Sequence, residues 1–135
     1  MIIGIGMDLV DIARVKRLMA AKGERAMSRL FTAGEVAYAM ERADPFRHLA
    51  ARIAAKEAAF KALSGSDRAR GIGWREMEVV PANDGQPQLA LHGSALDRAR
   101  ELGLSRCWLT LTHAELVAGA VVVLESDEAA VRFLG

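Results

Sequence analysis

A lone cysteine, Cys107, excludes an intrachain disulfide and a thiolate metal cluster and suits a reducing compartment. Its expected role is small buried filler. No apolar run approaches the roughly 20 residues that cross a bilayer. The opening MIIGIGMDLVDI has neither the basic start nor the small-residue cleavage site of a signal peptide. The expected address is the cytoplasm, with no membrane partner. An excess of one charge is also missing: 18 basic residues stand against 17 acidic ones, net +1, which argues against a nucleic-acid binder held by bulk electrostatics. No serine occupies a G-x-S-x-G elbow and no Cys/His arrangement surrounds one, so a nucleophile on the protein itself is not expected. The glycines at 4 and 6 lack the third glycine and the crossover of a dinucleotide fingerprint. There is no internal repeat, low-complexity segment or linker.

What is present is a chain 52% hydrophobic and 26% charged with three prolines, the composition of a folded globular protein. Its 135 residues make a single domain, 1–135, able to bury one core. Residues 2–7 form a short apolar, β-branched run that reads as a strand. Ile3, Ile5 and Met7 share one face of it, while Gly4, Gly6 and Asp8 share the other. Glycine weakens a strand unless something approaches the backbone closely or the sheet bends. Asp11 reads as the N-cap of a helix with Ile12, Val15 and Met19 on its buried stripe and Arg14 and Arg17 opposite. Between Asp11 and Arg29 six basic residues (Arg14, Lys16, Arg17, Lys22, Arg25, Arg29) outnumber two acidic ones (Asp11, Glu24), a local positive face in a nearly neutral chain.

The capping-box spacing of Thr32 and Glu35 starts a second helix over about 33–42. Pro45 fits the first turn of a long third helix that runs to Leu63 and stops in SGSDRARGIG. The remainder reads as strands EMEVV and QLALH joined through NDGQP, a helix from Ser94 to Gly103, and two final strands over 107–113 and 117–125. The tail ESDEAAVRFLG is mildly acidic, a loose end or a short helix. This order implies an α+β fold with a mostly antiparallel sheet rather than a doubly wound one.

Glu57 is out of place in the third helix, about 40° around the axis from Ile53 and inside the stripe that Leu49, Ile53 and Phe60 define. A carboxylate there needs a cation, a metal or several hydrogen bonds to offset desolvation. Asp8, at the end of a glycine-lined face, is the other acid in an apolar setting. Two readings stand. Either each acid is separately paired, with Lys56 or an arginine neutralising Glu57, or the two meet around a divalent ion of the hard, oxygen-preferring kind, such as magnesium. Arg52, Lys56 and Lys61 lie on or near the same helix face, where beside a metal they suit a polyanionic substrate. Ser64 and Gly65 either add backbone donors to such a site or simply stop the helix. His113, at the end of LTLT, is the most suggestive histidine; a structural role is the ordinary one for it.

Together, GIGMDLVDIARV, RIAAKEAAFKAL, GIGWREMEVV, DGQP and LTHAELVAGAVVVLE resemble, in order and over nearly the whole chain, the holo-acyl-carrier-protein synthases of the 4′-phosphopantetheinyl transferase superfamily. The resemblance implies that family's fold, with an antiparallel sheet against a long central helix. It also implies transfer of the phosphopantetheine arm of coenzyme A to a serine of apo acyl carrier protein. By the same resemblance Asp8 and Glu57 bind Mg2+ and catalyse with Lys61, which also holds phosphate oxygens. Lys56 supports Glu57 or the developing charge, and Arg52 and His113 line the coenzyme A pocket together with Ser64 and Gly65. Arg14 and Arg17 meet the acidic carrier, and Gly85 and Pro87 reach a neighbour's coenzyme A in a homotrimer whose active sites lie between subunits. Ser64 stands where the family often has glycine. Two other classes remain: a metal-dependent hydrolase of coenzyme A or nucleotide pyrophosphates, and a non-catalytic adaptor for acidic helices.

Overall fold

In the computed structural model, residues 1–127 are described. Strand β1 (Ile2–Asp11) leads into helix α1 (Ile12–Leu30), then α2 (Ala33–Met40) and α3 (Pro45–Leu63). Two short 3-10 turns, Asp67–Gly71 and Trp74–Glu76, precede strands β2 (Met77–Pro81) and β3 (Pro87–Leu91), helix α4 (Gly93–Glu101), β4 (Arg106–His113) and β5 (Val117–Glu125). One sheet has the order β1-β5-β4 and a second pairs β2 with β3, all antiparallel. The acidic tail lies largely outside the described residues.

Several boundaries differ from the sequence reading, each for a local reason. Strand β1 continues to Asp11 because its ladder with β5 runs on to the Asp11–Val117 pair. Asp11 does precede α1, but its side chain makes no capping bond. Within α1, Gly23 takes φ 51° and ψ −129°, a conformation reserved for glycine, so two helical pieces meet at a kink. Helix α4 starts after His92 rather than at Ser94. Its first amides are met from outside, by the Glu76 carboxylate, which accepts from the Ser94 and Ala95 N–H groups.

Helix α3 is the centre of the molecule. Leu49, Ala50, Ala54, Ala55, Ala58, Ala59 and Leu63 have no exposed surface, so the helix is apolar on nearly every side, as a fully enclosed helix should be. Phe60, expected on the buried stripe, is 39% exposed because its side of the helix borders an open cavity with Glu57 and Lys61, while Leu63 further along stays enclosed. Against one side of α3 lies the glycine face of β1. A Cβ added at Gly6 would overlap the carbonyl oxygen of Ala58, and one at Gly4 that of Ala62. Side-chain-free strand and alanine-rich helix thus touch backbone to backbone.

A buried ion pair locks the other side. Lys56 and Glu35 are both fully enclosed, 2.8 Å apart. The ammonium also donates to the carbonyls of Trp74 (2.9 Å) and Met77 (2.7 Å). Glu35 accepts from the Thr32 and Val79 amides, each at 3.0 Å. Four segments are joined through two side chains whose hydrogen-bonding capacity is used, the condition under which a buried pair is tolerable. The opposite face of the larger sheet is open: Ile5, Met7, Leu9 and Trp108 are 65%, 63%, 65% and 52% exposed.

The glycine seam gives a first prediction. Gly6→Ala should lower unfolding free energy by about 1–3 kcal/mol or more, because the colliding atom belongs to backbone. Gly71→Ala, whose added methyl meets nothing, should stay within about 0.5 kcal/mol. Urea midpoints at constant m-value check both.

Candidate active site

The close seam carries Asp8, two residues beyond Gly6 on the same strand face, to the side of α3 that presents Glu57 and Lys61. Lys61 Nζ donates to Asp8 Oδ1 at 3.1 Å and to the Met7 carbonyl at 3.0 Å. Asp8 Oδ2 is buried with no hydrogen-bond partner. Burial, then the hydrogen bond and the charge shared with Asp8, push the Glu57 carboxyl up to about 7, against the opposing pull of Arg14 and Lys61. For Asp8, burial acts upward, but hydrogen bonds from Glu57 and Lys61 and the Lys61 charge outweigh it and hold the carboxyl below its ordinary range. Two neighbouring carboxylates with no cation between them resist ionising together, so one is pushed up.

This donor set fits a hard divalent cation. The orphaned Oδ2 has unused acceptor capacity, and the raised Glu57 is a ligand oxygen waiting to lose a proton. No group of three or more His, Cys, Asp or Glu side chains capable of holding a metal occurs among the described residues. An ion held by Asp8 and Glu57 alone must complete its shell from water and a substrate's phosphates, the way magnesium is commonly bound.

The remaining expected residues fall into separate places. Arg52, Gly85, Pro87 and His113 line one cavity of about 550 Å³ with Tyr38, Arg47 and His48. Glu57 and Lys61 border another of about 420 Å³ whose walls include Phe60, Ile72, Trp74 and Met77. A single chain therefore brings Asp8, Glu57 and Lys61 together, and separately Arg52, Gly85, Pro87 and His113, without joining the two groups in one cavity. Ser64 Oγ donates to the Lys61 carbonyl at 2.6 Å, closing the helix end, and Gly65 follows at φ 106°. Arg14 and Arg17 are exposed on α1, and Arg14 shares a small cavity with Glu57 and Trp74.

Lys56 requires a correction. It does not neutralise Glu57: its ammonium is bound by Glu35 and two carbonyls, because the next residue along a helix points about 100° away. Asp8 is ion-paired with Lys61, while Glu57 lies close enough to act on Asp8 and to be acted on by it. Sequence reasoning missed three contributors. Glu35 was legible only as a capping residue. Arg98 of α4 donates to the Leu63 carbonyl (2.7 Å) and the Ser64 carbonyl (3.0 Å), bracing the turn after Lys61, yet nothing in its spacing marks it. Tyr38, stacked on Arg52, carried no signal beyond its being the only tyrosine.

A glycine-lined strand delivering one carboxylate to a helix that carries a second, with a lysine one turn on, occurs here in a chain that matches the family model of the 4′-phosphopantetheinyl transferase superfamily over residues 4–121. The chain belongs to that superfamily. Within it, the chain is 47% identical to a holo-[acyl-carrier-protein] synthase of Anaeromyxobacter sp. (strain K), covering 93% of this chain and 97% of that one. Among solved structures, the holo-[acyl-carrier-protein] synthase of Neisseria meningitidis superposes with a TM-score of 0.81 at 30% identity, over 93% of this chain and all of the other (100%). The ACPS–CoA complex of Chronobacterium ammoniagenes gives 0.78 at 26% identity, over 93% and 98%.

The raised Glu57 carboxyl predicts a pH dependence in metal-free protein. Because the Glu57 carboxyl is raised in the folded state, from 4.5 to about 7, its stabilising contribution is complete below 4.5, declines across that window and is gone above 7. Denaturation midpoints with a chelator present should fall between pH 5 and 8 in the wild type, and Glu57→Gln should remove that part of the slope. An identical slope in both proteins contradicts the assignment.

Proposed function

We infer that this protein transfers the 4′-phosphopantetheine arm of coenzyme A to a serine hydroxyl of apo acyl carrier protein, giving holo carrier and 3′,5′-ADP. The observation that carries this reading is the meeting of Asp8, Glu57 and Lys61 at one point, with a buried carboxylate oxygen left free. Its relatives are named for the same activity.

The serine oxygen attacks the phosphorus nearer the pantetheine, a P–O bond forms, and the bond to the departing 3′,5′-ADP breaks. Such transfers need alignment and charge neutralisation more than covalent help from the protein. A divalent ion, when bound by Asp8 and Glu57, would draw negative charge off the diphosphate oxygens. Lys61, half-exposed and already at Asp8, can swing its ammonium onto a phosphate oxygen. Glu57 sits where a serine proton can be received, directly or through one water. Arg14, exposed and close enough to act on Glu57, supplies the point at which an acidic carrier meets both the docking helix and the reacting centre, with Arg17 beside it on the same face.

The assembly is a homotrimer with each site between neighbours. Two features support this. The open sheet face bearing Ile5, Met7, Leu9 and Trp108 is too apolar to be left in water. The Arg52–Gly85–Pro87–His113 cavity, which suits the nucleotide end of coenzyme A, does not include the carboxylates of its own chain, which supports a site completed by a neighbour. No helix among the described residues is long and apolar enough to cross a membrane, and the proposed location is the cytoplasm.

Incubation with coenzyme A, magnesium and apo carrier should add the mass of one phosphopantetheine to the carrier. Formation of 3′,5′-ADP with an unmodified carrier would point to a hydrolase instead. Glu57→Gln should lower turnover by about a hundredfold or more while leaving the far-UV spectrum unchanged, and unaltered turnover at limiting magnesium would refute the metal site. Arg14→Glu should raise the KM for carrier about tenfold or more with little change for coenzyme A. Equal effects on both substrates remove the docking role.

A further inference from the structure

We propose that Tyr38 is a positioning residue that holds the Arg52 guanidinium for a phosphate monoester, and thereby sets a preference for donors carrying the ribose 3′-phosphate. The inference rests on the transfer reading above. Arg52 is 3% exposed, yet no carboxylate pairs with it among the described residues. Its Nε has no partner, its Nη1 donates to the His48 carbonyl at 3.3 Å, and the Tyr38 side chain is its other polar neighbour. The charge rests on the face of Tyr38, with the guanidinium carbon 4.2 Å from the ring centroid.

The surroundings deepen this imbalance. Arg42 lies over the same ring at 3.6 Å and donates to the Tyr38 carbonyl at 3.1 Å. The His48 ring meets Tyr38 edge-on at 5.8 Å, and Arg47 and His113 line the same cavity. The nearby carboxylates are turned elsewhere: Glu35, which acts on Arg52 only at a distance, to Lys56 at 2.8 Å, Asp44 to Arg47 at 3.5 Å and Glu41 to Arg42 at 3.6 Å. A buried cation is normally paired. Here it is steadied by the negative face of an aromatic ring, which orients the guanidinium without cancelling its charge. A carboxylate at the same place would neutralise Arg52 and compete with any anion. The unpaired Nε edge is the part of the fork that reads a phosphate in two-point fashion. Coenzyme A offers one monoester phosphate, on its ribose, and the product 3′,5′-ADP keeps it.

The test compares coenzyme A with dephospho-coenzyme A as donors, reading carrier mass against time for wild type, Tyr38→Phe and Tyr38→Leu. Tyr38→Leu should raise the KM for coenzyme A about tenfold, with kcat within about twofold and the KM for dephospho-coenzyme A unchanged. Tyr38→Phe, which keeps the ring, should remain near wild type. An equal rise for both donors, a loss confined to kcat, or no change in Tyr38→Leu overturns the proposal. If Tyr38→Leu shows no cooperative unfolding, Tyr38→Met replaces it with the same outcomes. A wild type that transfers the arm but treats both donors alike refutes the role of Tyr38 alone, whereas one that cannot modify the carrier refutes the transfer reading.

Discussion

Contact between bare backbones holds this molecule in its working shape. Where β1 crosses α3, glycine on the strand and alanine on the helix remove every atom that would keep the two apart. The separation of the elements is then set by van der Waals contact between main chains, and interiors packed this tightly do not deform smoothly. Two acids separated by about fifty positions in the chain are brought into mutual reach by that spacing. A single added methyl at the crossing would move one element away from the other and the carboxylates with it.

The other side of α3 is governed by charge rather than shape. The enclosed Lys56–Glu35 pair ties α2, the turn at Trp74 and β2 to the helix that carries Glu57. Neighbouring residues of one helix thus divide the labour: Lys56 faces inward and anchors, while Glu57 faces the crossing and stays half in water. Desolvation acts on both, lowering the affinity of Lys56 for its proton and raising that of Glu57. Only Lys56 has a full set of partners. The one of the two without a full set is the one proposed to hold the metal.

Much of this was legible in the sequence because it is written in local periodicity. The glycine face of β1, the interruption of an apolar stripe by Glu57, the Thr32–Glu35 box and Pro45 at a helix start all have signatures within a turn or two of chain. The partnership of Lys56 had none, since Glu35 lies twenty-one positions away and looked complete as a cap. Arg98 and Tyr38 were silent for the same reason: each works on a residue that chain folding alone brings near. The stripe of α3 also misled, because residues grouped by angle do not reveal which side a cavity opens on, and Phe60 borders one.

The division of the site residues between two cavities of one chain bears on how subunits would behave in mixtures. In the proposed assembly each reaction centre draws its carboxylates from one protomer and its nucleotide cradle from the next. Two defective chains, one without Glu57 and the other without Arg52, would then complement each other on exchange, because some junctions in a mixed ring would unite the sound half of each. Such rescue between inactive parents is open only to a protein whose catalytic unit is the boundary between subunits.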